Sequence, residues 1–166
     1  MHVVPTEAWS SLLAHLEAEA EALSTLESIL LEESASLRKL DAALLLPLAR
    51  RKAEVVEGHL HLAKSRPNRL AACRPANPPD HLSALFPDMD EAQRAQAAEL
   101  QGRLRALVQR MQRLQAMNEA YAETGRQAVD AALGRLSRRR AGGETTYGAT
   151  GRVQVPARGP QVREQG

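Results

Sequence analysis

The sequence predicts an all-α fold, an elongated antiparallel bundle of three long helices with a flexible C-terminal tail. Three observations predict it. The chain is 43% hydrophobic yet only 2% aromatic, so its apolar share is mostly Leu and Ala. Such residues pack helices lengthwise more readily than they fill a compact centre. Apolar side chains return at every seventh position in Trp9, Leu16, Leu23, Leu30 and Leu37, the heptad repeat of helices that lie along one another. Punctuation is segregated: Pro67, Pro75, Pro78, Pro79 and Pro87 fall together, and six of the ten glycines lie in 141–166. With 166 residues there is room for one domain, here a helical bundle over 1–140 and a tail over 141–166.

The first helix spans about 6–38. Thr6 can cap it, and Glu7 suits the positive end of the helix dipole. Leu12, Leu13, Ala20, Leu26 and Leu40 fill the stripe beside the heptad positions, while Glu19 and Glu33 interrupt it. Glu17, Glu19 and Glu21 fan around the helix and read as a solvated face. A break follows between Arg38 and Pro47, with Asp41 as the next cap, because proline deep in a helix removes a hydrogen bond. The second helix covers about 47–65 on a stripe of Leu48, Lys52, Val55, Val56, His59, Leu62 and Ala63. Ser65-Arg66-Pro67 ends it, since the residue before a proline is pushed out of the helical region.

The Pro-rich loop 67–88 leaves room for one short turn at Asp80 to Phe86, with Phe86 plugging the open end of the bundle. The third helix covers about 89–140. Asp88 and Glu91 have capping-box spacing. The apolar stripe runs Leu100, Leu104, Leu107, Met111, Leu114, Met117, Tyr121, Ala128, Ala132 and Leu136. Arg138-Arg139-Arg140 suits the negative end of the dipole, and Gly142-Gly143 stops the helix. Large apolar residues thin out between Met117 and Leu136, as in a helix end not fully committed to a core.

The formal net charge of +2 conceals an uneven distribution. Acids dominate up to Leu45, opposed only by Arg38 and Lys39, whereas Arg dominates from Arg103 to Arg140. Complementary flanks set partner choice between helices, so the first and third helices are expected to pair.

Most chemistries find no residues. There is no Gly-rich phosphate loop and no Ser/His/Asp set. His59 and His61 are two residues apart on different helix faces, so they cannot share a metal, which needs a spacing of three or four. Cys73 is the single cysteine; it excludes an internal disulfide, fits a reducing compartment, and reads as an idle loop thiol. No catalytic residue, metal or cofactor is expected. The Arg cluster could touch phosphate, but the small net charge and the lack of interleaved aromatics argue against nucleic acid. Ala42 to Ala49 is the longest apolar run, too short to span a bilayer. Met1-His2-Val3-Val4-Pro5 does not read as a signal peptide, and a cytoplasmic protein is expected. Met111 and Met117 fit either a core or a surface that adapts to a partner helix.

Tyr147 stands apart. The other aromatics are Trp9, Phe86 and Tyr121, whereas Tyr147 lies in a Gly-rich tail with no core to join. Segments of that composition usually lack aromatics. Tyr147 is therefore read either as kept for a partner or as a chance residue of a solvated tail.

The order of features is a Leu heptad helix, a helix with a central Lys52, a Pro-rich loop, and a long helix carrying Leu114-Gln115-Ala116-Met117-Asn118. Tyr147-Gly148-Ala149-Thr150-Gly151-Arg152 comes last. Over about residues 6–153 this resembles the FlgN-type flagellar export chaperones. Members commonly carry Asn-x-x-Asn-Gly in the third helix; Asn118 matches the first Asn, but Tyr121-Ala122 stand where Asn-Gly would be. Thr150 replaces an acidic residue often found in the tail motif.

The resemblance implies binding of the C-terminal helical segments of the hook-associated (hook–filament junction) proteins. It further implies delivery to the cytoplasmic domain of the export gate protein FlhA, with Tyr147 docking there and Gly148 and Gly151 allowing the turn. A groove for an amphipathic client helix needs anchors at helical spacing; the candidates are Leu114, Met117, Asn118, Tyr121, Ala128, Leu133 and Leu136. The alternative is a coiled-coil adaptor that only self-associates through its heptads.

Overall fold

The computed structural model describes the backbone of residues 6–141, 146–147 and 153–154, and the side chains of residues 7–138. It is helical: α1 (Thr6–Lys39), α2 (Ala42–Cys73), a short 3₁₀ turn (Leu82–Asp88) and α3 (Glu91–Ala141). Outside the helices, Thr146–Tyr147 and Val153–Gln154 form a two-residue antiparallel ladder that pairs Tyr147 with Val153. No described helix is long and apolar enough to cross a membrane. The chain divides into two compact units, 1–125 and 126–166. The division therefore falls inside α3 rather than after Arg140.

α1 supplies half of the buried apolar residues of the first unit. Its heptad residues Trp9, Leu16, Leu23 and Leu30 are buried, with Leu12, Leu13, Ala20, Leu26 and Ile29 beside them. One cluster joins Trp9, Leu12, Leu13 and Leu16 to Leu70 and Cys73 of α2, Leu82 and Leu85 of the 3₁₀ turn, and Ala97 and Leu100 of α3. Phe86 packs against that cluster while staying half-buried. A second cluster links Ala20 and Leu23 to Leu107. Each fully buried leucine contributes about 1.5–3 kcal/mol, so α1 is the spine against which the others are held.

α1 and α2 approach closely and run antiparallel: Glu33 meets Lys52, Glu19 meets Arg66, and Ser11 meets Arg69. α3 reaches α1 through its side chains, Gln96 to Glu17 and Arg110 to Glu27, so these two helices run in the same direction. The chain thus goes up, down and up within the first unit.

The second helix is longer than 47–65 at both ends, since both Pro47 and Pro67 lie inside α2. A mid-helix proline costs about 3 kcal/mol, yet tertiary contacts outweigh it at Pro67. Arg66 bonds Glu19 on one side, while Arg69 bonds the Ser11 hydroxyl and Leu70 and Cys73 enter the core on the other. Cys73 is accordingly the buried last residue of α2, not a loop thiol. Burial pushes its pKa up to about 11.

The link between α1 and α2 is a Schellman turn. Leu40 N–H donates to Leu37 O at 3.1 Å and Asp41 N–H to Ser36 O at 3.0 Å, with Leu40 at φ 54. This is the place glycine usually takes; leucine there carries strain of about 1–2 kcal/mol. Asp41 precedes α2 without a side-chain capping bond.

The cap of α3 is Asp90 rather than Asp88. Asp90 Oδ1 accepts from Gln93 N–H at 2.8 Å, and Gln93 Oε1 accepts from Asp90 N–H at 3.2 Å, a complete capping box. Asp88 is instead held by Arg74, whose guanidinium also donates to Ala84 O. Arg74 thereby staples the 3₁₀ turn to the end of α2. α3 ends at Ala141, and Gly142-Gly143 lies outside the described residues.

Candidate functional site

The acids of α1 are answered mainly by α2, not by α3 as the charge distribution led us to expect. Glu32 pairs with Arg51 at 2.9 Å, Glu33 with Lys52 at 2.6 Å, and Glu19 with Arg66. Arg110 of α3 reaches Glu27 at 2.5 Å. Its hydrogen bond and charge hold the Glu27 carboxyl below its ordinary 4.5.

Glu19 is not on a solvated face. It is fully buried, bonded by Arg66 through Nε at 2.9 Å, with His15 Nε2 3.0 Å from its carboxylate. A carboxylate inside a heptad stripe survives burial only with such partners. The hydrogen bond to Glu19 raises the pKa of Arg66 in turn.

Three helices meet at Glu33. One carboxylate oxygen takes Lys52 Nζ and the other accepts from Asn118 Nδ2 at 2.9 Å. The same Asn118 amide donates to Leu30 O at 2.9 Å. Asn118 is only 3% exposed. Its donor group holds α3 to α1. Lys52 was legible as an unusual residue on an apolar stripe and Asn118 through the family resemblance; Glu33 looked only like an interruption.

The other expected client residues fall into two groups. In the first unit Leu114 and Tyr121 are half-buried and Met117 is exposed. Leu26, Leu30 and Met111 share with Gln112, Gln115, Ala116 and Glu119 an open cleft of about 370 Å³. In the second unit Ala128 is exposed, and Leu133 and Leu136 are 56% and 57% exposed. Val129, four residues before Leu133, is exposed with them and was missed by the sequence reading. Residues three and four apart share a helix face, so Val129, Leu133 and Leu136 form one apolar stripe. Arg126 and Asp130 pair beside it at 2.7 Å.

Of the expected docking motif, the Tyr147 backbone lies in the ladder with Val153. The Tyr147 side chain, Gly148 and Gly151 lie outside the described residues. No group of His, Cys, Asp and Glu suited to a metal occurs among the described residues.

A protein-family model described as "FlgN protein" matches residues 8–154. No curated protein matches the chain, and no solved structure matches it.

Proposed function

The chain belongs to the FlgN family, a family of flagellar export chaperones, and on that premise we propose which partners it serves. Its clients are the hook-associated (hook–filament junction) proteins, held by their C-terminal helical segments. Its destination is the cytoplasmic domain of FlhA, reached through Tyr147 with Gly148 and Gly151. The helices hold the client and the segment with Tyr147 is the docking part. The client-binding residues are Leu133 and Leu136 with Val129 and Ala128 in the second unit, and Leu114, Met117 and Tyr121 in the first.

One observation carries this reading: the last turns of α3 expose Val129, Leu133 and Leu136 on a single face. Exposed apolar stripes of this kind are what amphipathic partner helices cover. The same stripe would serve a self-associating coiled coil, and oligomeric state separates the two. A chaperone of this kind is expected to bind client peptide at micromolar or tighter affinity; an adaptor is expected to be a stable dimer without binding it. The Tyr147→Ala variant tests the division of labour. Client affinity is expected unchanged and FlhA docking lost, and equal loss of both would refute separate sites.

A further inference from the structure

Within the first unit, α2 and α3 leave between them a cleft of about 460 Å³. Its floor comes partly from α1, where Leu16 and Leu23 lie seven residues apart, about 10 Å along the axis at 1.5 Å per residue. Leu104 and the exposed Val108 of α3 continue the apolar surface. Two apolar side chains two turns apart on an incoming helix match a floor of that length.

The rim is polar and only partly satisfied. Asp80, two residues before Leu82 in the chain, and Arg105 of α3 both border the cleft, and neither has an ion-pair partner among the described residues. Arg66 also borders it but is committed to Glu19. His59 Nδ1 is buried in the wall with no hydrogen-bond partner, an unfavourable state for a polar atom. An apolar floor with an unpaired carboxylate and an unpaired guanidinium on its rim has the shape and charge of a helix-docking groove.

We propose that this cleft docks an amphipathic helix of the client, with two apolar anchors two turns apart, a carboxylate facing Arg105 and a cation facing Asp80. The inference rests on the chaperone reading and deepens it, because it gives the first unit a client contact apart from Leu114, Met117 and Tyr121. Opposite charges on the rim also fix the direction in which the helix lies.

The test is calorimetric titration of the full chain with a peptide from the C-terminal helical segment of a hook–filament junction protein. The variants are Arg105→Glu, Asp80→Lys and Val108→Glu, with Leu133→Glu/Leu136→Glu as the comparison. All these positions are exposed, so helicity and unfolding temperature should stay at the wild-type values, which circular dichroism checks. Arg105→Glu and Val108→Glu are each expected to weaken binding at least tenfold. Replacing the peptide's acidic residues by Lys should restore affinity to Arg105→Glu and not to the wild type. If the wild type binds and the three cleft variants bind equally well, the cleft inference is wrong while the chaperone reading stands. If the wild type does not bind the peptide, the chaperone reading fails and this inference falls with it.

Discussion

At the scale of the residue, Glu19 shows how a charge can belong to a core. In the sequence it is one acid among several on a Glu-rich helix, and periodicity marks it only as a gap in an apolar stripe. Its partner Arg66 lies 47 positions away, a distance that no local pattern spans. Arg66→Ala should cost about 2 kcal/mol in chemical denaturation, less than the ~3–5 typical of fully buried pairs because Arg66 is partly exposed. Replacing both by apolar residues, as in Glu19→Leu/Arg66→Met, should recover most of that loss, since a buried pair often gives no net gain over good packing. Recovery would show that the loss came from an uncompensated carboxylate. Two further groups give a pH signature. Cys73, raised to about 11 by burial, contributes stability below its ordinary 9.0 that is lost as pH climbs toward 11. Its thiol should resist alkylation at pH 8 until the chain unfolds. Glu27, held below 4.5 by Arg110, contributes stability above 4.5 that is lost as pH falls through its lowered value. An Arg110→Ala variant should therefore show a flatter acid limb in its unfolding temperature.

At the scale of the element, α1 was readable because the heptad repeat, the stripe and the core coincide from Trp9 to Leu30, though Leu40, expected on the stripe, lies exposed beyond the helix. α2 was not. Propensity at Pro47 and Pro67 argued for a short helix, and the structure continues through both because contacts on each side of Pro67 outweigh one lost hydrogen bond. Pro67→Ala should accordingly stabilise the protein, by up to about 3 kcal/mol. The α1–α2 link makes the opposite point: its Schellman bonds use Leu40, 63% exposed, where glycine would be unstrained. Leu40→Gly should raise stability by about 1 kcal/mol. Leu40 Cδ2 also comes within 3.1 Å of where a Cβ on Gly125 would sit, so glycine is what lets α3 pass this link. The third helix was readable in extent; its cap was displaced by two residues, since Arg74 claims Asp88 and leaves Asp90 and Gln93 to close the box.

At the scale of the whole molecule, segregated charge pointed to α1 and α3, which do meet at Glu27 and Arg110, and gave no sign of the larger share that α2 takes. Acids of α1 and bases of α3 are complementary in the sequence, but α2 lies closer and its Arg51, Lys52 and Arg66 take Glu32, Glu33 and Glu19, against Glu27 alone for Arg110 of α3. Much of the Arg content of α3 is thereby left for something other than α1. The candidate site was legible in part: helical spacing pointed to Leu133 and Leu136, but not to the burial of Asn118, which depends on the Leu30 carbonyl and Glu33 across the bundle. Asn118→Ala should cost about 1 kcal/mol, because it removes the bonds to the Leu30 carbonyl and to one Glu33 oxygen while Lys52 still holds the other, and thermal unfolding would measure it.

The central claim is that the exposed stripe at the end of α3 holds the client. Its most direct test is the affinity of the C-terminal client peptide for the wild type and for Leu133→Glu/Leu136→Glu, measured by calorimetry. We expect micromolar or tighter binding by the wild type and at least tenfold weaker binding by the variant at unchanged unfolding temperature. Equal affinity for both, or no binding by a wild type that is a stable dimer, would contradict the account.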